Sequence, residues 1–140
     1  MRVVVFVDEH DDQSSFLQRV VPVLPGGAQV HLAHVVNPMV DAADRFALSN
    51  AEALAGLTAE WQARLDVLAA EIPGATTGIQ NLQRGEDIGP GLLRVAAEAD
   101  AGLVVLGTRR AGTMRGMILG SVADAVMREA RVPVLVVRTE

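Results

Sequence analysis

Short apolar runs alternate along the chain with stretches in which apolar residues recur every three or four positions. Val3 to Val7 is a continuous β-branched run ending at Asp8, the pattern of a strand covered on both faces. Asp11 and Asp12 are positioned to start a helix carrying Phe16, Leu17, Val20 and Val21, which Pro22 and Pro25 end or kink. Pro25-Gly26-Gly27 is a turn, and Val30 to Val36 a second strand closed by Asn37-Pro38. From about Ala51, the positions Leu54, Leu57, Trp61, Leu65, Leu68 and Ile72 predict a long amphipathic helix ending at Pro73-Gly74. The stretch from Asn37 to Asn50 has no strand signal and reads as a candidate mobile loop. Thr76 to Gln83 is a weaker strand. A helix capped by Asp87 or Gly89, with Pro90 in its first turn, turns Leu92, Leu93, Ala96 and Ala97 inward. Leu103 to Leu106 is a fourth strand stopped by Gly107, Ser121 opens a further helix, and Val132 to Val137 holds a fifth strand centred on Val134 to Val137.

Strands and helices thus alternate from end to end. That order predicts an α/β domain over residues 1–140, with an open parallel sheet and helices on both faces. Length and composition agree: 140 residues, half of them hydrophobic, with mean hydropathy +0.29, suffice for one well-filled core.

What is missing narrows the chemistry. The chain has no Cys, so thiol catalysis, Cys-based zinc and disulfides are excluded. It has no Lys, which excludes a GxxxxGK[ST] phosphate loop and Schiff-base chemistry. Net charge is −5, giving no basic footprint for nucleic acid. No apolar run is long enough to span a bilayer, and MRVVVFVDEHDD lacks the features of a signal peptide, so a cytoplasmic location is expected. His31 and His34, an odd spacing apart on a strand, face opposite ways and make a poor metal pair; no metal site is expected.

The segment LVVLGTRRAGTMRGMILGSVADAV carries most of the functional signal. A strand, a glycine-punctuated loop and a helix start seat an anion well. The first helical turn offers unpaired N–H groups and a positive dipole end, and glycines let a ligand approach the backbone. Ser121 and Asp124 also match a capping box, which needs no ligand. Both readings can hold together, because a cap satisfies only some of the free donors.

At these residues the chain resembles the universal stress protein family. Nucleotide-binding members carry Gly, two residues, Gly, nine residues, then Gly-Ser or Gly-Thr. Gly107 and Gly120-Ser121 stand at the first and last positions, Arg110 replaces the middle glycine, and VPVLVVR matches the family's last strand. The resemblance implies sheet order 3-2-1-4-5 in a Rossmann-like fold of the adenine nucleotide alpha-hydrolase type. Ligands in open α/β sheets bind where the strand order reverses, here beyond Asp8 and Gly107. The implied ligand is ATP or another adenine nucleotide, with Mg2+ as a candidate companion. The implied contacts are Val7, Asp8, Val35, Leu106, Gly107, Arg110, Gly120, Ser121 and Val122. Val7 and Val35 border the base, with Val35 in the family's His-Val pair (His34-Val35). Asp8 hydrogen-bonds the adenosine, and Gly120, Ser121 and the Val122 backbone hold phosphates. The run Asp8-Glu9-His10 stands where such members have Asp-Gly-Ser.

The plainer readings of these residues are a turn acid for Asp8, core packing for His34 and Trp61, and solvated charges for Arg109 and Arg110. Arg110 has two further readings: a bidentate clamp on phosphate, or an obstruction. At a position needing positive φ its side chain costs about 1–2 kcal/mol, comparable to the roughly 1.5–3 kcal/mol a charge-assisted bond returns. The resemblance also implies a homodimer through the Val134–Val137 edge strand, which would hide an apolar edge. Three functions follow: a dimeric adenine-nucleotide-binding module of the stress response, not an enzyme; a dimeric stress or interaction protein that binds no ATP; and a slow ATPase, for which only Asp8 and His10 are candidate groups.

Overall fold

The computed structural model describes residues 1–8, 13–41, 50–108 and 120–138. Five strands, β1 (Arg2–Phe6), β2 (Gln29–Val36), β3 (Thr76–Asn81), β4 (Leu103–Thr108) and β5 (Val134–Arg138), form one sheet in the order β3-β2-β1-β4-β5. All described pairings are parallel. The helices are α1 (Gln13–Val20), α2 (Pro38–Asp41), α3 (Asn50–Ala69), α4 (Ile88–Glu98) and α5 (Ser121–Glu129), and a short 3-10 turn spans Val21–Val23.

β-branched runs make the centre of the sheet because both faces are covered. On one face Val3, Val5, Leu32 and Val105 pack against Phe16, Leu17 and Val20 of α1 and Trp61 and Leu65 of α3. On the other, Val4, Phe6, Ala33, Val104 and Leu106 pack against Leu92, Val95 and Ala96 of α4 and Ala123 and Val126 of α5. Alternating side chains of each strand feed the two layers, as the two-residue strand period requires. The helix α4 lies so close to α5 that a Cβ built on Gly89 would meet Ala125 Cβ at 2.8 Å.

Several boundaries differ from those the pattern predicts. Gly107 does not stop β4: Gly107 and Thr108 pair with Val137 and Arg138, so ladder partners carry the strand through the glycine. Helix α1 ends at Val20, and Val21 instead begins the 3-10 turn around Pro22, 38% exposed. Asp11 and Asp12 lie outside the described residues. Asp87 is the N-cap of α4, and Gly89 lies inside that helix. Val95 rather than Ala97 is buried, and Leu93 is half-buried, because the α4 stripe follows Leu92, Val95 and Ala96. β3 stops at Asn81, two residues before Gln83. Pro38–Asp41 is helical, where a loop was expected; the rest of that loop, 42–49, lies outside the described residues.

The loop from β3 to α4 is tied down by charge. Arg94 Nε donates to Glu86 Oε2 at 2.8 Å, and its Nη2 to Glu86 Oε1 at 2.9 Å and to the Asn81 carbonyl at 3.0 Å. The Gln83 N–H donates to Glu86 Oε1 at 3.0 Å. The guanidinium is the main cause that holds the Glu86 carboxyl down at about 2, aided by the Gln83 N–H.

Candidate functional site

Strands β1 and β4 are neighbours in space, yet their chain connections run to opposite edges of the sheet. The crevice this reversal leaves beyond the strand tips is where open α/β sheets place ligands. A cavity of about 480 Å³ occupies that position, with Asp8 and Gly107 both in its wall.

Its construction follows the fold. Val7 continues β1 by donating its N–H to the Ala33 carbonyl at 2.8 Å, which brings Asp8 to the rim. His34 accompanies it: Nδ1 lies 2.7 Å from the Val7 carbonyl oxygen. A carbonyl only accepts, so Nδ1 carries the proton. The imidazole lies flat on Trp61 of α3, centroids 3.4 Å apart and planes 13° off parallel, and the Arg64 guanidinium sits 4.9 Å from the indole on α3. Leu57, Trp61 and His34 make one apolar wall; Leu82, Ile88 and Leu92 make the other. The charged side chains among the described lining residues are the carboxylates of Asp8 and Asp41.

Helix α5 begins beside the same space. Its N-cap is Gly120 rather than Ser121, and its first helical bond is Asp124 N–H to the Gly120 carbonyl at 3.0 Å. The donors of Ser121, Val122 and Ala123 therefore precede the i→i−4 ladder. The predicted capping box does not form. No side-chain cap bond is made, and the Asp124 carboxylate pairs with Arg128 one turn on, because an i,i+4 cation competes for it. Thr108, 6% exposed, anchors the helix start: its Oγ1 accepts the Gly120 N–H at 2.8 Å. A Cβ at Gly120 would stand only 3.3 Å from that oxygen, so close approach rather than backbone φ favours glycine there.

Of the residues expected from the sequence, Val7, Asp8, Val35, Leu106, Gly107 and Val122 line the one cavity. Gly120 and Ser121 adjoin it without lining it, at the N-terminus of α5. Arg109, Arg110, Glu9 and His10 lie outside the described residues. Sequence reasoning missed Phe6, Asn37, Asp41, Leu57 and the α4 wall, and assigned His34 and Trp61 only to the core. Trp61 is in fact 4% exposed and does both jobs. The available signal was the three-to-four spacing of Leu57 and Trp61, which places them on one face of a helix without saying where that face ends.

The family model for the universal stress protein family matches residues 1–138. The chain belongs to the universal stress protein family. Among solved structures, a universal stress protein from Archaeoglobus fulgidus is similar at TM-score 0.62 and 26% identity, over 97% of this chain and 97% of that one. The Archaeoglobus fulgidus universal stress protein in complex with dAMP is similar at TM-score 0.58 and 24% identity, over 97% and 96%. A universal stress protein in complex with cAMP reaches TM-score 0.61 at 23% identity, over 100% and 98%. A universal stress protein of Mycobacterium tuberculosis strain H37Rv is 52% identical over 44 residues, 31% of this chain and 15% of the relative. The match thus spans a small part of that mycobacterial universal stress protein's length.

Proposed function

We propose that this universal stress protein is an adenine-nucleotide-binding module, taking ATP or a related nucleotide in the cavity at the tips of β1 and β4. The supporting observation is that one cavity of about 480 Å³ joins an apolar lining, a carboxylate at Asp8 suited to ribose hydroxyls, and the start of α5 at Val122. Two structural neighbours hold adenine nucleotides, dAMP and cAMP, which favours the same ligand class here. Gly120, Ser121 and the Val122 backbone are the proposed phosphate donors, and Arg110 a further contact. Mg2+, where it accompanies ATP, would be held mainly by the phosphates: among the described residues no group of three or more His, Asp or Glu could bind a metal.

The role is binding in the stress response, in the cytoplasm, rather than catalysis. The protomer would pair with a second copy through Val134–Val137, since β5 ends the sheet and its side chains are only half-buried. A second reading, a dimer that binds no nucleotide, is favoured by Arg110 at the position of the middle glycine. Isothermal titration with ATP and AMP tests the choice. Saturable one-site heat that Val122→Glu abolishes supports the module; no heat from either nucleotide leaves the second reading. Phosphate release above a buffer control would overturn the non-enzymatic role.

A further inference from the structure

The tips of β4, β1 and β2 follow one another along the cavity, so the ligand has a direction. Val122 and Gly107 stand at the β4 end, Asp8 at β1, and Val35, Asn37 and Asp41 at β2. Two strand spacings, about 9.6 Å, are comparable to the length of a nucleoside. With phosphate toward α5 and ribose at Asp8, the far edge of a bound base would point toward the β2 end of the cavity, where Asn37 and Asp41 are among the lining residues.

Asp41 is held there in one orientation. Its carboxylate Oδ2 accepts the Asn37 N–H at 2.7 Å, and its own N–H donates to the Asn37 carbonyl at 2.8 Å. Asn37 Oδ1 in turn accepts the Met39 N–H at 3.1 Å. One oxygen of Asp41, a residue of the cavity lining, is thereby committed to the backbone, which leaves the other to accept from a ligand.

We propose that Asp41 reads the 6-position of the purine, favouring a 6-amino over a 6-oxo base. An ionised carboxylate only accepts hydrogen bonds. It matches the N–H of an exocyclic amine and opposes the lone pairs of an exocyclic carbonyl. This rests on the adenine-nucleotide reading and adds its specificity.

The Asn37 N–H makes the test sharp. In Asp41→Asn that N–H still needs an oxygen, so the amide oxygen stays on Asn37 and the NH2 faces the cavity. The donor pattern at the rim is inverted without a change of shape. ATP and ITP carry the same ribose and triphosphate and differ at the base edge, so charge effects of the substitution cancel in their affinity ratio. The expected ratio is about tenfold in favour of ATP for the natural protein, near unity for Asp41→Ala, and reversed for Asp41→Asn. Circular dichroism checks that all three are folded. A ratio that stays the same in all three proteins overturns the assignment of Asp41 while leaving nucleotide binding intact. Binding of neither nucleotide by the natural protein overturns both.

Discussion

His34 and Trp61 form a stacked pair that joins the end of β2 to the middle of α3, with centroids 3.4 Å apart. The pair is both a structural joint and a wall of the cavity. Trp61→Ala should destabilise the protein by about 3–5 kcal/mol, the cost of a deleted core aromatic, with Trp61→Phe losing much less. Urea unfolding measures this. Trp61 is also the chain's single tryptophan, so nucleotide binding should change its emission; saturating ATP that leaves the spectrum untouched while calorimetry shows binding would place the ligand elsewhere.

His31, on the other side of β2, behaves differently. Its Nδ1 lies 2.7 Å from Thr76 Oγ1, and its ring fills the space over Gly78. Burial, helped by the nearby Arg2 guanidinium, pushes its pKa below the ordinary 6.5. The unfolded chain therefore binds the proton more tightly than the native one. Stability from this site is complete above about pH 6.5 and declines as pH falls through the lower native pKa. His31→Asn should flatten that part of the stability–pH curve in urea titrations at successive pH values. An unchanged slope would show that other groups carry it.

The Arg94–Glu86 clamp loses its charge at a lower pH. Glu86 titrates at about 2 in the native protein against 4.5 ordinarily, so its contribution is whole above pH 4.5 and disappears as pH falls through about 2. At neutral pH, Arg94→Met should lower Tm by a few degrees. Arg94→Lys should recover only part of this, because lysine restores the charge without the two-pronged geometry. Thermal melts of the three proteins decide it; equal melting of the arginine and lysine forms would mean charge alone matters.

Gly89→Ala should cost about 1–3 kcal/mol by forcing α4 from α5. The new methyl would meet Ala125 Cβ at 2.8 Å, and a rigid helix cannot turn aside as a long side chain does. Because α5 carries Val122, nucleotide affinity should fall as well. Chemical denaturation and calorimetry on the same variant measure the two effects together.

The start of α5 shows how far the sequence reading reached. Ser121 followed by Asp124 is a sound local cap signal, yet Thr108, twelve residues earlier, satisfies the Gly120 N–H, and Arg128 takes the carboxylate. Local pattern cannot see a hydroxyl delivered by a neighbouring strand. Gly107 failed for the same reason: a glycine weakens a strand on its own, but β5 supplies its ladder partners.

The alternation of elements, the two-sided burial of β1 and β4, and the family with its sheet order were all legible in the order of residues. These depend on periodicity and on motifs within one stretch of chain. The walls of the cavity, by contrast, emerge only when the layers pack. Trp61, Leu82 and Asp41 come from separate connections, and no local pattern distinguishes a buried residue that only packs from one whose outer edge faces a crevice. That difference is set by where helices end relative to the strand tips, which is a property of the packed layers.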